Sequence, residues 1–233
     1  MPERADALAE YINNNVEWDC DVYLIDNASD ISPPAKNTNI FIEDNVQTTG
    51  GWLWGLRETR DLDYFAYWFL ITSAAPAGKD DILTPMAQWL VDHPGAVGIH
   101  PALTEDSTTA WEHLITRGGT RPRRTWMIDN ISSLWRADWF NSVGRFDARM
   151  FFGWGIDLET SYKARVQDKT LWVDERVRIE KETNIGYKLE RMNMDADDRS
   201  RRANTNMRRV FFDKYGPVWE REIFSRGVES EML

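Results

Sequence analysis

Apolar residues at Ala5, Leu8, Ala9 and Ile12 share one helical face and predict an opening helix over residues 4–15. The pattern then changes to short apolar runs. Asp21 to Ile25, Asn39 to Glu43, Asp63 to Ile71, residues 95–99, Trp126 to Trp135 and Thr170 to Ile179 read as strands. Helices are expected between them: one opened by Gly50 and Gly51, one over 84–92, one over 104–116, one starting at Arg136 to Trp139, and one from Asp157 through Leu158, Tyr162 and Val166. From Tyr187 onward the chain is charged and helical in pattern. Arg199, Arg201, Arg202, Arg208 and Arg209 stand against an apolar side of Met207, Val210, Phe211 and Phe212. That segment reads as an amphipathic helix packed on the domain, with a membrane-surface or dimer role as the alternative. Strands alternating with helices predict an α/β fold: one domain over residues 1–186, with a mixed, mostly parallel sheet flanked by helices, and a helical C-terminal extension over 187–233.

Composition narrows the picture. In 233 residues, 42% are hydrophobic, enough for a sizeable core. A net charge of -10 argues against a general nucleic-acid surface. Cys20 is the lone cysteine, which leaves no intrachain disulfide and no thiolate metal cluster. No apolar run has the length of a membrane span, and the first residues lack the basic lead and apolar block of a signal peptide. The expectation is a soluble, cytoplasmic chain. Twelve tryptophans are mostly core and interface material, with a few available to stack on a sugar.

Polar residues cluster where such a fold binds ligands. The strand ending at Ile25 runs into Asp26-Asn27-Ala28-Ser29-Asp30, and in open α/β sheets ligands lie beyond the carboxyl ends of the strands. An ordinary Asx turn would have the same residues. Gly50 and Gly51 follow Asn45 and could turn backbone N–H groups toward a phosphate, or simply make a turn. Asp129-Asn130 sit in the stretch assigned as the 126–135 strand. Arg117, Arg121, Arg123 and Arg124 make a basic loop that could grip a diphosphate or be merely solvated. Last comes Gly153-Trp154-Gly155-Ile156-Asp157, two glycines about an aromatic and a carboxylate at a helix start. Asp157 there is a plausible general base or a plain helix cap.

Taken in order, these segments resemble the family 2 glycosyltransferases of the GT-A fold, especially rhamnosyltransferase-like members. Gly144, Phe146, Asp147, Phe151, Phe152, Gly155, Asp157 and Arg165 follow the family pattern; Ile156 replaces an acid. The resemblance spans about residues 5–185. It implies a GT-A-like domain that moves a sugar, with inversion, from a nucleotide-sugar to a hydroxyl acceptor such as a glycan. Asp157 would be the base. Asp26, Asn27, Ser29, Asn45, Gly50, Gly51, Thr72 and Ser73 would surround the donor, and Asp129, Asn130, Trp154 and Gly155 the acceptor.

Two departures set the expected chemistry. Where the family has its metal-holding Asp-x-Asp, this chain has Thr72-Ser73-Ala74; where the family has a later histidine, it has Glu180 or Lys181. Neutral hydroxyls are poor sole ligands for a hard cation. The expectation is no metal and no cofactor, with the diphosphate stabilised by Lys181 or by Arg117, Arg121, Arg123 and Arg124. The family's first strand also has no counterpart before the opening helix. The fold does without it, another segment fills its place, or this is a piece of a longer chain. Three other readings stand: a degenerate domain that binds nucleotide or glycan without chemistry, a metal-dependent transferase with non-standard ligands, and a partner-binding module.

Overall fold

In the computed structural model, residues 2–29, 32–182 and 195–224 are described. Among them the strands and helices follow in the order α1 (Pro2–Asn15), β1 (Ile25–Asn27), β2 (Ile40–Ile42), α2 (Gln47–Glu58), β3 (Ala66–Leu70), β4 (Ala74–Pro76), α3 (Leu83–Asp92), β5 (Ala96–Leu103), β6 (Arg123–Thr125), β7 (Ser132–Arg136), α4 (Ala137–Ser142), α5 (Ile156–Val166), β8 (Thr170–Lys181) and α6 (Ala196–Tyr215). The class is α/β, as the alternation of patterns predicts.

The main sheet is mixed and runs β3-β7-β5-β8-β4. Its centre is the parallel pair β5 and β8. Every residue of β5 is buried, which is why this strand reads as a continuous apolar run rather than an alternating one. β7 lies antiparallel between β5 and β3. The other edge of β8 is shared: β6 pairs antiparallel with its first half and β4 with its last residues. β1 and β2 form a separate parallel pair, and no strand among the described residues pairs with both β1 and β3.

Two apolar clusters enclose the main sheet. One joins Ile99, Leu103, Leu134 and Ile179 to Leu83, Met86 and Leu90 of α3. The other joins Phe69, Trp135 and Leu171 to Phe140, Ile156, Leu158, Val210 and Phe211. Through Val210 and Phe211, α6 is part of this second core. Arg201, Arg202 and Arg208 on its outer side pair with Asp198 and Glu220. No helix among the described residues is long and apolar enough to cross a membrane.

Several local expectations change. Residues 104–116 hold only a three-residue 3-10 turn, Glu112–Leu114, because Thr116 N–H donates to Leu103 O at 2.8 Å and pins that stretch to the end of β5. The stretch 126–135 splits: only Ser132–Arg136 is strand, and Asp129-Asn130 lie in the loop before it. The basic loop ends in β6. The parts of the C-terminal expectation that cover residues 187–194 and 225–233 lie outside the described residues.

Candidate active site

The site is built around the loop that leads into α5. Gly153 and Gly155 adopt φ of 92° and 88°, a region that costs other residues strain. Both are also crowded from outside. A Cβ on Gly153 would stand 2.9 Å from Thr48 Cβ, and one on Gly155 2.5 Å from Met207 Cγ. The loop is therefore held between the start of α2 and α6. Thr49 fastens it further, its Oγ1 donating to Met150 O at 2.6 Å and its N–H to Phe151 O at 3.3 Å. This clamp leaves Phe151 and Trp154 exposed beside the loop, each at 41%. Asp157 then stands half-buried in the first turn of α5, its Oδ1 accepting the Leu158 N–H at 2.9 Å.

Two charged groups from other elements lie within electrostatic reach of Asp157. Asp129 comes from the loop before β7 and Lys181 from the end of β8. Lys181 Nζ lies 3.4 Å from Asp129 Oδ2, and the Lys181 backbone N–H donates to Ser107 Oγ at 2.9 Å. Burial pushes the Asp157 carboxyl up to about 7; the Asp129 charge adds to this, while the Leu158 N–H and Lys181 oppose it. Burial also raises Asp129, against the pull of Lys181. His100, fully buried on β5, is pushed down to about 3 by burial and is neutral. Its Nδ1 lies 2.5 Å from Pro101 O. The result is a carboxylate poised near neutrality, a second carboxylate beside it, and one ammonium shared between their fields.

Lys181, rather than Glu180, points into this cluster. Successive strand residues face opposite ways, and Glu180 is exposed. The turn Thr72-Ser73, between β3 and β4, lies alongside, because Glu182 N–H donates to Ser73 O at 3.0 Å. Ala74 N–H closes the turn onto Ile71 O at 3.0 Å.

The other candidate donor residues form a connected scaffold around the start of α2. Asp26 Oδ1 accepts the Ser29 N–H at 2.9 Å, an Asx turn. Asn27 Oδ1 accepts Val46 N–H at 2.9 Å and its Nδ2 donates to Gln47 O at 3.0 Å, clipping β1 to α2. Asn45 Oδ1 accepts Gln47 N–H at 2.9 Å. Gly50 and Gly51 fall inside α2, where Gly51 lies close to Asn27. Asn130 is turned into the core: its Oδ1 accepts from Ser133 Oγ at 2.6 Å and Trp135 Nε1 at 3.1 Å.

The arginines divide. Arg123 is locked to buried Glu175 at 2.6 Å and to the carbonyls of His113 and Ile115 at 2.6 and 3.1 Å. The Arg117 N–H donates to the same carboxylate. Arg124 lies over the Trp172 ring, 5.7 Å from its centroid, and Arg121 is exposed. β6 places Arg123 opposite Val173, in the first half of β8, whereas Lys181 closes that strand. In the sequence Asp129 and Lys181 carry separate assignments, Met207 reads only as part of a helix face, and Ser107 carries no assignment. No local signal links residues so far apart in the chain.

No protein-family model matches the sequence, and no curated protein matches it significantly. Among solved structures, the crystal structure of GalNAc-T7 with UDP, GalNAc and Mn2+ aligns over 61% of this chain with a TM-score of 0.50 and 12% identity. The match spans only 31% of that longer chain. The likeness shows a GT-A-like fold.

Proposed function

We propose that this GT-A-like chain transfers a sugar, with inversion, from a nucleotide-sugar to a hydroxyl of a glycan acceptor, with Asp157 as the general base. One observation carries the reading: a carboxyl pushed up to about 7 stands at the opening of α5, within electrostatic reach of Lys181 at the carboxyl end of β8. A base matched to neutral pH is what proton abstraction from a hydroxyl requires. The kinship with family 2, and with rhamnosyltransferase-like members in particular, rests on the motif residues alone.

In this mechanism Asp157 accepts the acceptor's hydroxyl proton as its oxygen attacks the anomeric carbon. The bond to the diphosphate breaks on the opposite face, and the leaving diphosphate takes the bonding electrons. The charge that develops there needs a preorganised partner. Lys181 supplies an ammonium beside the Thr72-Ser73 turn. The exposed faces of Trp154 and Phe151 offer an apolar platform for an acceptor ring.

The solved neighbour was crystallised with UDP, GalNAc and Mn2+, but the Thr72-Ser73 turn here does not suit a divalent ion. Thr72 and Ser73 carry neutral hydroxyls, and the adjoining strand end carries an ammonium, which repels a cation. That donor set supports the reading of metal-independent transfer.

The test is transfer and donor hydrolysis with a panel of UDP-, dTDP- and GDP-sugars, in excess EDTA and with added Mn²⁺ or Mg²⁺. Turnover in EDTA supports the reading. Turnover abolished by EDTA and restored by metal refutes metal independence and leaves the transferase. A donor that binds without ever turning over points to a non-catalytic binding domain.

A further inference from the structure

We infer that the outer face of α6, with the turn that follows it, is a docking surface for an anionic phospholipid bilayer, on which the protein lies without crossing it.

The surface follows from how α6 divides its residues. Ala203, Val210 and Phe211 are buried, and Met207 meets Gly155. The opposite stripe of Arg201, Arg202, Thr205, Arg208, Arg209 and Phe212 is exposed. Residues three and four apart are neighbours on a helix surface, so these form one continuous band. In α6 as a whole six basic residues stand against three acidic ones, on a chain of net charge -10. The ion pairs on the band are surface pairs. Arg201 and Arg202 share Asp198, Arg208 meets Glu220, and each of these arginine side chains stays more than half exposed. Such pairs hold weakly, and each guanidinium keeps N–H groups for other oxygens.

Apolar side chains accompany this charge. Phe212 is 55% exposed and Val218 53%. The Gly216 N–H donates to Phe212 O at 2.9 Å where α6 ends. The Arg208–Glu220 pair, with the Arg208 guanidinium 5.6 Å from the Trp219 ring centroid, then holds the following turn against the helix.

This combination selects the partner. Phosphate headgroups suit guanidinium forks, and Phe212 and Val218 can enter the boundary between headgroups and acyl chains. A nucleic acid would use the arginines and leave both apolar side chains in water. The acidic remainder of the chain is repelled by an anionic surface, so the basic face sets the orientation of approach. The inner side of α6 walls the loop before Asp157, which places the bilayer one helix diameter, about 10 Å, from that loop. A consequence rests on the transferase reading above: the acceptor is a glycan carried by a lipid at that surface.

The test is cosedimentation of the chain with vesicles of phosphatidylcholine alone, or of phosphatidylcholine and phosphatidylglycerol in equal parts, at low and high NaCl. Binding to the anionic vesicles that weakens in high salt is expected, with none to phosphatidylcholine. Arg201→Gln, Arg202→Gln and Arg209→Gln together should weaken it by about tenfold or more, since each arginine near an anionic surface contributes roughly fivefold. Phe212→Ser should weaken it about fivefold and leave the salt dependence unchanged. Thr205→Lys, an added cation on the band, should strengthen it about fivefold. Arg60→Gln, at an exposed arginine elsewhere, should leave it unchanged. No binding to the anionic vesicles at low salt, or binding that ignores the α6 variants, overturns the docking surface. So does equal binding to soluble polyphosphate with no effect of Phe212→Ser, which marks a plain polyanion site. None of these measurements uses a donor or turnover, so their failure leaves the transferase reading standing, and a failed donor panel leaves the docking surface.

Discussion

Gly155 and Met207 meet where α6 packs on the start of α5, with space for no more than a hydrogen between the glycine Cα and the Met207 Cγ. The C-terminal helix is thereby part of the wall that sets the loop before Asp157.

Gly155→Ala should strain that wall twice. Its φ of 88° is unfavourable for alanine by about 1–2 kcal/mol, and the added Cβ overpacks against Met207 by about 1–3 kcal/mol. The variant should lose stability in urea and lose transfer activity. Met207→Ala in the same chain should restore the packing part only. A Gly155→Ala protein as stable as wild type would show that the loop can relax freely.

Asp157→Asn keeps the shape and removes the proton acceptor. Transfer should fall by about 10²–10⁴, and the wild-type activity should decline as pH drops through its value of about 7. Stability should move the other way. The folded carboxyl binds its proton more tightly than the unfolded one, so its contribution is present at low pH and is lost as pH rises through about 7. Asn should thus be stabilising at pH 8 and close to neutral at pH 4. Equal differences in Tm at the two pH values would contradict this.

Lys214 bridges two elements, pairing with fully buried Glu159 on α5 and lying 3.1 Å from Asp147. Lys214→Met would leave the Glu159 charge with Tyr215 at 2.9 Å and Lys163 at 3.4 Å. Stranding a buried charge costs about 3–5 kcal/mol, and the remaining partners should hold the loss near the low end. Chemical denaturation reads the value directly; a loss under about 1 kcal/mol would mean the pair contributes as a surface bridge does.

Asn27→Ala removes both clips between β1 and the start of α2. With Val46 N–H deprived of its acceptor, the cost should be about 1–3 kcal/mol. Hydrogen exchange should rise first at residues 45–49, and donor affinity should fall with it. Unchanged exchange there would remove Asn27 from the scaffold.

The sequence by itself determined the class of the fold and singled out Asp157 as the candidate base. Apolar runs alternating with helical patterns are local properties, and so is Gly153-Trp154-Gly155 ahead of Asp157; each needs only its neighbours to be legible. It also put Thr72 and Ser73 where the resemblance expects metal-holding carboxylates. What it could not decide was which distant side chains meet. Whether Glu180 or Lys181 enters the site depends on the face that β8 presents, and that register is set by pairing with β4 and β5. Arg123 could not be told from a phosphate-binding arginine until Glu175 was seen beside it. The environment of Asp157 is tertiary in the same sense: Asp129 precedes it by a whole strand and helix, Lys181 follows it at the far end of β8, and only folding brings their fields within reach of one carboxyl.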